Sequence, residues 1–314
     1  MMQTQPNIIN KMQSTPFSMP FKVNQHTLMQ ATLGHEVAFD GVGLHSGFPV
    51  HMLLRPAAPY TGFVFFRTDI KNKDNRVPAH YTAVIDTMMC TKISNTSGVT
   101  VSTIEHIIAA LQGMGITNAE IYISGPEVPI MDGSSRLYTE KFTTVGCSTQ
   151  SARQRALKII STVRVEHKNG FAEFIPSHSR SFDVSFDFSG RLFGKDYPTN
   201  FTFDLDGDDF HCLLSDARTF GLYEDALRLK EAGFAKGASL ENTIVLHNDV
   251  VMNEKGLRSS DELVRHKVLD AIGDLALSGC SIIGTFRAHN PGHGLNNQLL
   301  LALFANPKLF TWCE

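Results

Sequence analysis

The chain has 314 residues, 42% of them apolar, with 28 Lys and Arg against 31 Asp and Glu for a formal charge of -3. That length can bury two domain cores, and the near-even charge balance gives no global pull toward nucleic acid or an anionic membrane. Cys90, Cys147, Cys212, Cys280 and Cys313 lack any C-x-x-C spacing and read as reduced thiols of a cytoplasmic protein, and no run approaches the roughly 18 to 20 apolar residues that a membrane-spanning helix needs.

Residues 1–26 are rich in Met, Gln, Asn and Pro and have no apolar stretch long enough for a signal peptide, so they read as a flexible extension. The lack of arginine argues against the other reading, an organellar transit peptide. From Thr27 to about Gly125 short alternating segments predict strands at Val50–Leu54, Gly62–Phe66 and Ala119–Ile123. One helical pattern, Thr103–Met114, interrupts them. Ser102 and Glu105 have capping-box spacing at its start, so the plain role of Glu105 is to satisfy backbone donors. Its sharper role is as a general base beside His106, a metal ligand.

A Gly-, Ser- and Thr-containing stretch at 146–152 predicts a boundary near residue 150, between an N-terminal domain (27–150) and a C-terminal one (151–314). Strands are expected at Leu157–Val165, Ala172–Ile175 and Phe182–Phe188. In Ala217-Arg-Thr-Phe-Gly221 the Thr219 hydroxyl is either a turn cap or an oxyanion donor. The strongest helix runs over Asp261–Ser278, with capping-box spacing at Ser259 and Glu262 and a stop at Gly279. On it His266 and Asp270 stand four apart on one face, as an exposed pair or as two ligands of one ion, with Asp274 a turn further on. Gly292-His293-Gly294 reads as a loop that presents His293 free of helical packing.

In this order the segments Gly41–Gly47, Asp86–Cys90, Ser102–His106, Gly125–Ser134, Ala217–Gly221, Asp261–Asp274 and Gly292–Asn297 resemble the UDP-3-O-acyl-N-acetylglucosamine deacetylases of lipid A synthesis, over all but the extension. The resemblance implies an α+β fold of two similar two-layer sandwich domains with the active site between them. It also implies a hydrolase that removes the N-acetyl group of an acylated UDP-amino-sugar. One Zn2+ per chain, with Fe2+ as its competitor in the cell, would be held by His106, His266 and Asp270. Glu105 would be the general base, His293 the protonated acid and oxyanion partner, and Asp274 the holder of its ring. Thr219 would bind the acetyl oxygen. Lys267, Phe188, Phe220, Met89 and Cys90 are the expected substrate contacts, and an inserted element near 222–246, with Leu227, Phe234, Leu240 and Val245, would line an acyl passage. Gly294 departs from the alanine usual in the family, and Asn290-Pro291 from a small or basic residue. The other readings are a paralogue that keeps the fold but only binds, and a deacetylase of another acylated amino sugar. With no oligomer signal in the sequence, a monomer is expected.

Overall fold

The computed structural model describes residues 29–187, 197–248 and 250–313, and the chain is α+β. Its helices are α1 (Glu105–Gly113), α2 (Arg136–Val145), α3 (Phe210–Leu213), α4 (Tyr223–Glu231), α5 (Glu262–Ala276) and α6 (His293–Ala305). None is long and apolar enough to cross a membrane among the described residues.

The N-terminal half builds a five-stranded sheet in the order Val37–Val42, Pro49–Pro56, Ala119–Ile123, Phe63–Arg67, Arg76–Pro78. Its alternation is the cause of its burial. Along Pro49–Pro56, Val50, Met52 and Leu54 face the core while His51 and Arg55 face solvent, the period of two that a one-sided sheet requires. The C-terminal half builds a seven-stranded sheet around Ser281–His289, which runs between Gly170–Ile175 and Arg180–Ser185 and pairs with Ala156–Ile159 at its start.

Between the sheets lies a helical layer in which α1 packs directly on α5. All residues of α1 from Glu105 to Leu111 are buried, and α5 is buried along nearly its whole length, as befits helices covered on all sides. Apolar residues of both halves, from Leu33 and Phe39 to Phe286 and Phe310, form one continuous core. The two helices lie close at Gly273, where a Cβ would stand 2.1 Å from the carbonyl oxygen of Glu105. Any larger residue would push α1 away from α5.

The stretch at 146–152, near which a domain boundary is expected, includes a strand, Cys147–Arg153, paired antiparallel with Met29–Leu33. Other expectations need correcting. Leu157–Val165 is two strands, Ala156–Ile159 and Val163–His167, because the chain breaks at Ile160 and Ser161, whose N–H groups donate to the Leu309 carbonyl. Neither capping box forms. The Ser102 hydroxyl donates to the Pro126 carbonyl, and Glu105 accepts from the Thr91 N–H at 3.1 Å. Glu262 instead receives the Arg218 guanidinium at 2.7 and 3.0 Å and the Arg258 N–H at 2.6 Å. Buried carboxylates must collect strong donors, and that demand outweighs a local cap.

Gly273→Ala is expected to destabilise the chain by about 1–3 kcal/mol, the usual cost of overpacking against a backbone that cannot yield. Denaturant unfolding of variant and parent measures it, and an unchanged midpoint would mean that the helices can part without cost.

Candidate active site

The α1–α5 crossing brings side chains from distant parts of the sequence to one place. His106 Nε2 and His266 Nε2 stand 3.6 and 3.3 Å from Asp270 Oδ1, and the three residues, all buried, offer ligand atoms within 4.8 Å of one another. The His266 Nδ1–H donates to the Ala217 carbonyl at 3.0 Å, which fixes the tautomer with Nε2 free to coordinate. Burial, against the pull of Asp270, lowers the His266 pKa to about 3, so the ring is neutral, as a ligand must be. Asp270 keeps its carboxyl well below the usual range: burial opposes this, but His266 and Lys267 prevail. Its Oδ2 accepts from Lys267 Nζ at 2.9 Å, whereas Oδ1 is buried without a hydrogen-bond partner. An orphaned carboxylate oxygen between two imidazole nitrogens fits a divalent cation of the zinc type.

Beside this cluster Glu105 and His293 face each other, Oε1 to Nε2 at 3.9 Å. Burial raises the Glu105 pKa. For His293 burial acts downward, yet Asp274 and Glu105 overcome it and raise the pKa to about 10. Asp274 holds the ring through Nδ1 at 2.8 Å and is itself held by the Thr91 hydroxyl at 2.6 Å and the Asn296 amide at 2.8 Å. His293 is not on a free loop, as expected, but is the first residue of α6, with Gly292 as its N-cap. At Gly294, in the first turn, a Cβ would sit 3.2 Å from Thr87 Oγ1, close enough that the hydroxyl would have to yield by a few tenths of an ångström.

Glu105, His106, Thr219, His266, Asp270 and His293 line a cavity of about 590 Å³. Phe220, Lys267 and Met89 also line it, with Lys267 Nζ 5.1 Å from the centre of the Phe220 ring and Met89 in a left-handed conformation at φ 68. Cys90 does not. It is buried, and its thiol, hydrogen-bonded with Thr103, is pushed up to about 12, first by burial and then by Glu105. Phe188 and the Leu227 side chain lie outside the described residues.

Near the cavity Phe220–Leu222 and Ile244–His247 pair in parallel, with α4 in the connection between them. Leu222, Leu229, Ala232 and Val245 line the cavity there. Phe234 and Leu240 do not: Phe234 meets the His45 ring edge-on at 5.8 Å, and Leu240 is 45% exposed.

Sequence reasoning missed His45, whose two ring nitrogens are buried at the cavity wall without a partner, and Thr91 and Asn296, which position Asp274. His45 and Asn296 stood inside segments already singled out; Thr91 followed one directly.

Residues 30–305 match the model of the family described as UDP-3-O-acyl N-acetylglycosamine deacetylase. Among similar proteins, the UDP-3-O-acyl-N-acetylglucosamine deacetylase of Pasteurella multocida (strain Pm70) is 46% identical over 281 residues, covering 90% of this chain and 92% of its own. That of Vibrio cholerae serotype O1 is 43% identical over 285 residues, covering 91% and 93%.

The raised His293 pKa carries a pH signature. A group whose folded pKa lies above its unfolded value near 6.5 contributes stability that is complete below about pH 6.5 and disappears as pH rises toward 10. Metal-free protein is therefore expected to lose on the order of a few kcal/mol of unfolding free energy over that range, and His293→Gln to lose distinctly less. Equal slopes in denaturant titrations of the two proteins would show that His293 is not charged in the fold.

Proposed function

The chain belongs to the UDP-3-O-acyl N-acetylglycosamine deacetylase family, and from that membership we propose that it hydrolyses the N-acetyl group of UDP-3-O-acyl-N-acetylglucosamine. The products are UDP-3-O-acyl-glucosamine and acetate, and the setting is lipid A synthesis. The observation that carries the reading is the pairing of Glu105 and His293 across 3.9 Å beside the His106–His266–Asp270 cluster. Two opposed ionisable groups next to a metal-ligand set are the parts that amide hydrolysis requires.

His106, His266 and Asp270 would hold zinc. When bound, such an ion supplies Lewis acidity and a water whose pKa is lowered to about 7. The rest is the work of this chain's own side chains. Glu105, a carboxylate made more basic by burial, takes the proton from the attacking water. The Thr219 hydroxyl and the protonated His293, both in the cavity lining, would balance the negative charge that develops on the acetyl oxygen. His293 then passes its Nε2 proton to the departing sugar nitrogen, and the C–N bond breaks to leave acetate and a free amine. Asp274 keeps the His293 ring charged and oriented throughout.

Lys267 and Phe220 would meet the sugar nucleotide, and the apolar wall of Leu222, Leu229, Ala232 and Val245 would take the acyl chain. In this reading 27–150 and 151–314 act as two domains and the site lies between them.

The test is deacetylation of the acylated UDP-sugar by purified protein, after chelation and with zinc restored, beside Glu105→Ala. Zinc-restored turnover is expected, and a fall in kcat of about 10²–10⁴ in the variant with its metal retained. The acid limb of the pH profile should follow Glu105 and the alkaline limb His293, with a bound cation drawing both limbs below the positions that the two groups hold in the metal-free protein. Folded, metal-loaded protein that turns over no acyl length would refute the proposal.

A further inference from the structure

Glu127 touches none of the groups assigned to the reaction, yet it is 2% exposed and its carboxylate collects three donors. The N–H groups of His45 and Ser46 donate to Oε1 and Oε2, each at 2.8 Å, and the Thr103 hydroxyl donates to Oε1 at 3.1 Å. Successive backbone N–H groups that converge in this way form a concavity suited to an anion. The seat is tight: a Cβ on Gly43 would stand 2.3 Å from Glu127 Oε2.

The same turn grips the insertion on its other side. The Leu44 carbonyl accepts from the Gly237 N–H at 3.0 Å and the His45 carbonyl from the Lys236 N–H at 3.2 Å. Here too the backbones nearly touch, since a Cβ on Gly237 would lie 2.2 Å from the Gly43 oxygen. Leu44 and His45 line the cavity, as do Ala235 and Ala238 from the insertion. With its own ring nitrogens unpartnered, His45 is placed by the backbone of the turn.

We propose that Glu127 is a positioning residue for the acyl passage: it fixes the turn at 43–47 and, through that turn, the loop at 234–238 that closes the passage wall. The proposal rests on the reading of the cavity as an acyl-chain site. A rival route runs through Thr103, which holds a strained φ of 57 two residues before Glu105. That route would act on the base and the metal ligands.

Glu127→Gln keeps shape and removes one acceptor, because an amide nitrogen only donates. It is measured on UDP-sugars with long and short acyl groups, with metal content and amide hydrogen exchange followed in parallel. The expected result is a KM about tenfold higher for the long chain and less than about threefold higher for the short one, with kcat changed less than KM. Metal stays bound, and the Lys236 and Gly237 amides exchange faster. Gly237→Ala, which leaves Glu127 intact, should shift KM in the same length-dependent pattern. Equal KM changes at both lengths, or none, would overturn the proposal. So would loss of kcat together with metal, reproduced by Thr103→Val. If the parent protein turns over neither substrate, the substrate reading fails on its own account, and unaltered exchange at Lys236 and Gly237 would separately refute the coupling.

Discussion

The contact on which the site depends is the crossing of two buried helices at a residue without a side chain. Because Gly273 lets α5 lie against the Glu105 carbonyl, His106 from one half of the sequence comes within 3.6 Å of Asp270 from the other. Everything polar at the centre follows from that approach. Glu105 and His106 begin α1, and His266, Asp270 and Asp274 are spaced by one turn along α5, so the crossing aligns them in a row. The sheets outside the helices act mainly as walls that keep this layer dry and fixed.

Dryness has a cost, and the arrangement of charges answers it. Glu105, Asp270 and Asp274 are all at most 5% exposed, and carboxylates so placed are tolerated only with partners. Asp274 has three, the Thr91 hydroxyl, the His293 ring and the Asn296 amide. Asp270 has Lys267 on one oxygen and two imidazoles near the other. Glu105 accepts one backbone N–H at 3.1 Å, and burial raises its affinity for a proton, whereas His266 and Lys267 hold that of Asp270 down. Two buried carboxylates a few ångströms apart are thus set apart by their surroundings.

Much of this was legible in the sequence where the signal is local. Alternation placed Val50–Leu54 and Ala119–Ile123 closely, because a sheet with one buried face imposes its period directly. The i, i+4 spacing of His266 and Asp270 put both on one face of α5 before any fold was known. What the sequence could not reveal depends on partners distant along the chain. Ser102 and Glu105 have the spacing of a cap, but Glu105 is turned toward Thr91 and Ser102 toward Pro126. Glu262 looked like another cap and is a buried counter-ion of Arg218. The strand Cys147–Arg153 has no apolar alternation of its own, and Met29–Leu33 offers it an edge to pair with. Cys90 lay within a motif that borders the cavity, yet its buried thiol is taken up by Thr103. In each case a long-range partner decided between two locally acceptable roles.

The lysine beside the metal-ligand cluster has a further consequence. Lys267 occupies Asp270 Oδ2 at 2.9 Å and leaves only Oδ1 facing the two histidines. A carboxylate with one oxygen so engaged has a single oxygen left to offer, and that choice is made by a neighbour three residues away on the same helix. Were the cluster to hold a cation, His106, His266 and Asp270 would each give it one atom, which is the donor number that zinc sites open to water use.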